Sequence, residues 1–299
     1  MPQFDIVILT ESRYLAPKSP TEYQKNVLKE DMLVKDALEE KGLNVTRKDW
    51  ADDGFDWNNT STALFRTTWN YFDRFQEFST WLDQTSTATK FINSASLTRW
   101  NTDKHYLNDL ARNGIPIVPT RFISRGSGLT INELHEITGW KETVVKPTIG
   151  GGGRYTYHIT PKNLEAISEK MDQLMKQEDF MLQPFQRNVP GQGEWSYMFF
   201  GERFSHAVLK KARPGDFRVQ DDFGGTVHPH QPNQTEIDFA LAAVKACPET
   251  PVYSRVDIVM DNNGRPAVSE LELVEPELWF RLEPQAAELL ADEIVGRYF

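Results

Sequence analysis

ETVVKPTIGGGGRYTYHI (Glu142–Ile159) joins two runs of strand-forming residues through four consecutive glycines. Ordering four bare residues costs backbone entropy, so the stretch needs a compensating function. A glycine loop of the dinucleotide type opens a helix, and a P-loop ends in Gly-Lys-Ser/Thr. Neither pattern is present. The flanks TVVKPTI and RYTYHIT both read as strands, which makes the glycines a hairpin tip whose unhindered N–H groups can line a concave anion site. Lys146, on the incoming strand, can reach the same anion as a point charge. An ordinary hairpin turn needs one or two glycines, so four beside Lys-Pro favour a phosphate.

Outward from this hairpin, residues 1–93 alternate strands and helices. FDIVILT, LNVTRKDW and TALFRTTW read as strands, and EYQKNVLKEDMLVKDALEEKG and FDRFQEFSTWLDQ as helices. Alternation of this kind predicts a parallel sheet, whose ligands collect at the strand C-terminal ends. Arg66, Thr67, Thr68, Trp69 and Asn70 are therefore candidate substrate contacts. A helix over NTDKHYLNDLARNG precedes the glycine hairpin, and NLEAISEKMDQLMKQ follows it as another. Beyond Phe180 longer alternating strands dominate, closed by a helix over PQAAELLADEIVGRYF.

A second hairpin carries acid. In VYSRVDIVMDNNGRPAVSELELVEP, Arg255 and Asp257 share one face of the first strand, Glu270 and Glu272 one face of the second, and Asn-Asn-Gly marks the turn. An even loop sets the two pairs on the same side. Three carboxylates converging there would repel by roughly 4 kcal/mol per close pair at an effective dielectric of about 20, so they call for a divalent cation or raised pKa values. Magnesium bridging carboxylates and a nucleotide's phosphates meets that need.

The 299 residues are 39% hydrophobic, with 43 acidic against 33 basic side chains and a formal net charge of -10. That balance, without a Lys/Arg-rich run, weighs against a nucleic-acid partner. The apolar runs are short for a membrane span, and the N-terminus lacks a basic region ahead of an apolar stretch, so a cytoplasmic protein with no membrane partner is expected. A single cysteine, Cys247, forms no internal disulfide. The histidines are scattered; His228 and His230 read as a solvated loop pair.

VVKPTIGGGG, FMLQPF, GEWS, PGDFRVQDDFGG and RVDIVMDNNGRPAVSELELVEP, in that order, resemble the ATP-grasp ligases, especially the branch of glutathione synthetase and the RimK-type amino-acid ligases. LFRTTWNY and RWNTDKHYL further resemble the cycloserine-pathway cyclo-ligase group, which closes O-ureido-D-serine into a ring. The resemblance implies an α/β (α+β) ATP-grasp fold, divided into an N-terminal parallel α/β domain (1–93), a central subdomain with the glycine loop (94–181) and a C-terminal subdomain with the magnesium site (182–299). It implies that Lys104 and Lys146 contact the nucleotide phosphates, with Gly150, Gly151, Gly152 and Gly153 folding over them. Gln183 and Phe185 would be the hinge whose backbone meets adenine, and Glu194 the acid on the ribose. Arg218 would lie at the γ-phosphate with Arg255 or Lys210 as helpers, and Asp257, Glu270 and Glu272 would hold Mg²⁺ or Mn²⁺. Two departures stand out: Glu-Leu-Glu where the family has Glu-x-Asn, and Gln183 where it has Glu.

The expected activity is ADP-forming ligation. ATP phosphorylates the carboxylate of a small amino-acid-like substrate, and an amine displaces the phosphate. Specificity is expected at residues 66–70 and in parts of RVQDDFGG. Relatives commonly dimerise, so a homodimer is expected by resemblance. A small-molecule kinase and a non-catalytic nucleotide-binding module are the alternative readings.

Overall fold

The computed structural model describes residues 2–219 and 224–299, so positions 220–223 of the RVQDDFGG stretch lie outside the described residues. Three sheets organise the chain. In the N-terminal part, strands β1 (Phe4–Thr10), β2 (Val45–Asp49), β3 (Thr60–Thr67) and β4 (Lys90–Ile92) form a parallel sheet in the order β2-β1-β3-β4. Its helices are the short α1 (Ser12–Leu15), α2 (Glu22–Glu40) and α3 (Phe75–Thr85). Helix α2 starts at a capping box, Thr21 with Gln24, and Gly42 follows its C-terminus at a φ of 85°.

Helices α4 (Ala95–Thr102) and α5 (Tyr106–Arg112) come next, where a single helix is expected from the sequence. The break falls at Lys104, whose N–H donates to Thr148 O at 2.9 Å instead of continuing the helix. The central sheet has the order β5-β8-β6-β7, from β5 (Arg121–Ile123), β6 (Thr143–Pro147), β7 (Tyr157–Ile159) and β8 (Phe180–Pro184), with α6 (Ile131–Thr138) and α7 (Leu164–Leu174) packed on it. The glycine stretch is a hairpin tip between β6 and β7. Its second strand starts later than the sequence suggests, because residues 151–156 turn on themselves, with Gly152 and Gly153 at positive φ. The expected boundary at residue 181 falls inside β8, whose pairing with β6 runs on to Pro184.

After the four-residue α8 (Val189–Gln192), an antiparallel sheet in the order β11-β10-β9-β12-β13 is built from β9 (Glu194–Phe200), β10 (Arg203–Lys211), β11 (Thr226–His230), β12 (Tyr253–Met260) and β13 (Pro266–Glu272). Helices α9 (Gln234–Lys245) and α10 (Gln285–Tyr298) complete the chain. His228 and His230 lie on the edge strand β11, not in a loop, and His230 pairs with Glu236 at 3.0 Å.

One face of this sheet changes character along its strands. Phe200, Met198, Val208 and Tyr253 pack against Ile6, Ile8 and Leu64 of the N-terminal sheet in a shared core. Further along the same face stand Ser196, Glu194, Lys210, Arg255 and Asp257. The opposite face, with Tyr197, Phe199, Val256 and Leu271, is buried under α5 and α9. Period-two alternation therefore sends apolar residues to both faces and polar ones to a single patch. No helix among the described residues is long and apolar enough to cross a membrane.

Candidate active site

Antiparallel registration sets the acidic hairpin. Asp257 lies opposite Glu270 and Arg255 opposite Glu272, so the two pairs share a face. The loop between the last paired residues, Met260 and Pro266, has an odd number of residues, contrary to the even loop expected. A ladder run on regularly from there would set Asp257 against Ser269 and turn both glutamates into the core. A bulge between Ile258 and Asp257 corrects the parity, with Ser269 as the extra residue on β13. The Ser269 hydroxyl donates to Glu194 Oε2 (2.9 Å) and approaches Asp257 O (3.1 Å).

Among the described residues the outer edge of β13 has no neighbouring strand over its last residues; side chains from 93–106 satisfy its backbone. Tyr106 Oη accepts from Leu271 N, Asn101 bonds Leu271 O and Leu273 N, and Asn93 Nδ2 donates to Leu273 O, at 2.7–3.0 Å. These bonds satisfy the strand's free backbone groups where Glu270 and Glu272 line a cavity of about 570 Å³.

Both lysines of the central part face that cavity. Lys104 Nζ donates to Gly150 O (2.6 Å) and pairs with Glu270 (3.0 Å), and Lys146 lies 3.8 Å from the other Glu270 oxygen. Gly150 to Gly153 form part of the wall. A Cβ on Gly151 would stand 2.9 Å from the Phe72 ring, so the bare backbone there lets loop and N-terminal domain approach. Arg154 ties the same loop to Asp73 (3.0 Å) and Glu178 (2.7 Å).

Lys210 is buried between Glu194 (2.5 Å) and Asp257 (3.0 Å). Gly193, at a φ of 91°, lets the chain pass so close to Lys210 O that a Cβ would meet it at 2.3 Å. Arg255 bonds Asp257 at 2.8 Å and also pairs with Glu272. Desolvation works to raise the Asp257 carboxyl, but Arg255 and Lys210 hold it well below the usual range. Lys104 and Lys146 likewise outweigh desolvation at Glu270 and hold it at about 2. Desolvation wins at Glu272, which rises to about 7 against Arg255, with Glu270 and Asp257 adding to the rise.

These partners correct the picture of three converging carboxylates. Asp257 accepts from Arg255, Lys210 and the Ser196 hydroxyl (2.5 Å), so its oxygens are committed to protein donors. Among the described residues no three His, Cys, Asp or Glu side chains are grouped to hold an ion. Glu270 and Glu272 still offer hard oxygen donors on the cavity wall, and a cation there would offset the desolvation and the repulsion from Glu270 and Asp257 that raise Glu272, so the site fits a dication shared with a phosphate ligand.

Of the other expected site residues, Gln183, Phe185, Glu194 and Arg218 line the cavity. Gln183 donates its side-chain amide to Thr120 Oγ1 (2.9 Å). Phe185 N donates to Glu142 O and Phe185 O accepts from Asn262, both at 2.9 Å, so its backbone is engaged and its ring, stacked on His158, is what it presents. Arg218 is held by Asp216 at 2.9 Å.

The strand-end residues divide. Trp69 lines the cavity; Arg66, Thr67, Thr68 and Asn70 do not. Arg66 is 2% exposed, packed on the Phe280 ring and within 4 Å of Glu30 and Asp31. Thr67 bonds Thr10, and Asn70 accepts from Trp50. The C-terminal segment after β13 takes up Arg66, which donates to Pro276 O, whereas Thr67 and Asn70 are bound by side chains of the N-terminal part itself. Tyr71 and Glu275, which the sequence reading passed over, do face the cavity. The acid density of ELELVEPE was the available signal for Glu275.

Glu275 also rises, to about 8, through desolvation and the neighbouring Glu272. Both carboxyls hold a proton more tightly folded than unfolded, from a reference of 4.5. Their favourable contribution is complete below that value and is lost as pH climbs through about 7 to 8. The ligand-free protein is therefore expected to melt at lower temperature at pH 8 than at pH 6, Glu272→Gln to flatten that slope, and added Mg²⁺ to raise the melting point more at pH 8. Equal magnesium shifts at both pH values, read by calorimetry, would refute binding of the ion at Glu272.

Three sheets closing a lysine-lined cavity under a glycine hairpin make an ATP-grasp fold. The chain's particular likeness is to the D-cycloserine synthetases. The family described as D-cycloserine synthetase DcsG, N-terminal domain, matches residues 6–93. The cycloserine biosynthesis protein DcsG of Streptomyces lavendulae is 29% identical over 274 residues, 86% of this chain and 89% of that protein. The crystal structure of D-cycloserine synthetase DcsG covers 98% of this chain, and this chain 99% of it, at a TM-score of 0.86 and 27% identity. A D-alanine–D-alanine ligase from Bacillus anthracis shares the fold at a TM-score of 0.68 and 15% identity, with 98% and 96% covered.

Proposed function

We propose that the chain is an ADP-forming ligase that activates the carboxylate of a small amino-acid-like substrate as an acyl phosphate for attack by an amine, within the molecule or between molecules. The observation that carries this reading is the cavity itself. Lys104 and Lys146 approach from the glycine-loop side, Lys210, Arg255, Glu270 and Glu272 from the five-stranded sheet, and the space between them is of small-ligand size. Likeness to DcsG over nearly the whole chain favours the cyclising branch.

Phosphoryl transfer asks for positioning and charge stabilisation more than for a protein nucleophile. Lys104 and Lys146 bind phosphate oxygens, and the N–H groups of the glycine loop close over them. Lys210, Arg255 and Arg218 neutralise charge at the transferred group, and the ring of Phe185 with Gln183 borders the base. When bound, Mg²⁺ held by Glu270 and Glu272 supplies positive charge to the phosphates. Closure of the loop against Phe72 and Asp73 excludes water from an acyl phosphate that would otherwise hydrolyse.

The test is incubation with Mg-ATP, a panel of D- and L-amino acids that includes O-ureido-D-serine, and hydroxylamine. ADP, phosphate and a hydroxamate are expected. A stable phosphorylated product would show a kinase, the absence of substrate-dependent turnover a binding module, and AMP with pyrophosphate would contradict the mechanism. Lys146→Ala is expected to raise the KM for ATP and lower kcat, each about tenfold, the equivalent of roughly 1.4 kcal/mol apiece. Steady-state rates equal to those of the unaltered protein would remove Lys146 from the site.

A further inference from the structure

The segment that follows β13 crosses the cavity as a strap, and four successive carbonyls of it are gripped by four different side chains. Tyr253 Oη donates to Val274 O (2.7 Å), Trp69 Nε1 to Glu275 O (2.9 Å), Arg66 to Pro276 O (3.2 Å) and Arg255 to Glu277 O (3.3 Å). Two of these hooks come from the N-terminal domain and two from β12. A segment without regular structure is thereby fixed as firmly as a strand, and it delivers a carboxylate between the two halves of the site.

That carboxylate is Glu275. It opens on the cavity and receives a hydrogen bond from the buried Tyr71 of the N-terminal domain. The other cavity acids near it are bridged by cations: Glu270 by Lys104 and Lys146, Glu272 by Arg255, Asp257 by Arg255 and Lys210. The charged and titratable groups that face Glu275 include Glu272, Lys104, Glu270, Tyr71 and Tyr253. On the ligase reading, the cation cluster marks the phosphate side of the cavity, and Glu275 stands toward the N-terminal domain, the side from which an amine would approach.

We propose that Glu275, held by the strap and hydrogen-bonded to Tyr71, is the proton acceptor for the attacking amine. In that step the amine nitrogen bonds to the carbonyl carbon, and the bond from that carbon to the phosphate oxygen breaks. Phosphate leaves with the electron pair, and the nitrogen's proton passes to a Glu275 oxygen. Arg66 and Trp69 are positioning residues in this scheme, acting on the strap rather than on substrate. The proposal rests on the ligase reading, and a raised pKa suits a group that must take a proton near neutrality.

Hydroxylamine separates the two ideas, because it is uncharged and nucleophilic at neutral pH without a base. Glu275→Gln keeps an acceptor for Tyr71 and the shape of the side chain. With the amino-acid panel above, its amine ligation is expected to fall at least about 100-fold, while hydroxamate formation from the same carboxylate stays within about threefold of the unaltered enzyme. A parallel fall in both reactions, or amine ligation that survives, would overturn the assignment. Absence of any hydroxamate from the unaltered enzyme would instead overturn the ligase reading, and the assignment with it.

Discussion

Lys210→Met is expected to cost about 3 kcal/mol of folding stability at pH 8 and to abolish turnover. Truncating one member of a buried ion cluster leaves its partners charged and uncompensated, which is more damaging than the cluster is stabilising. Lys210 is 3% exposed, lies between Glu194 and Asp257, and sits 5.8 Å above the Trp279 ring. Methionine fills much of the stem's volume, so the loss is one of charge. The sign of the pH response follows: without the ammonium, Asp257 binds a proton more readily in the folded state, so the deficit shrinks as pH falls toward the carboxylate range. Urea unfolding at pH 8 and pH 5 measures it. A deficit independent of pH would mean that packing, not charge, sets the effect.

Asn93→Ala is expected to be comparably severe, though Asn93 touches no ligand surface. Its side chain accepts from Val252 N (2.5 Å) and donates to Tyr253 O (2.9 Å) and Leu273 O (2.7 Å). Removal strands one N–H and two C=O groups in the interior, at about 1 kcal/mol or more each, for a loss of roughly 3 kcal/mol. Asn93→Asp discriminates the cause. Aspartate restores the acceptor and the volume but turns an anion toward two carbonyls, so it is expected to destabilise at least as much as alanine. An aspartate variant close to the parent in its unfolding midpoint would show that volume alone matters there.

The elements with internal periodicity were legible in the sequence. The parallel N-terminal strands, helix α2, the glycine hairpin and the facing pairs of Arg255–Asp257 and Glu270–Glu272 follow from spacing of two or of three to four residues. The bulge that brings the acidic pairs to one face left no such trace, because Ser269 continues the alternation by eye and the parity error sits in the loop. The break at Lys104 is set by Thr148, just past the end of β6. Asn93, Asn101 and Tyr106 serve the edge of β13 from 165 or more positions away, and a side chain bonding to a distant backbone imposes no pattern on its neighbours. Arg66 and Trp69 were singled out as strand-end residues, but their partners, the carbonyls of 275 and 276, carry no side-chain identity to read.

That last pairing limits how this enzyme could be recombined. Arg66 and Trp69 grasp a backbone 206 to 210 positions downstream, so a chimera that grafts the first third of a relative onto the remainder would exchange two of the four fastenings and keep the ribbon they fasten. To keep all four fastenings, the leading part and the short stretch from Val274 to Glu277 would have to be exchanged together.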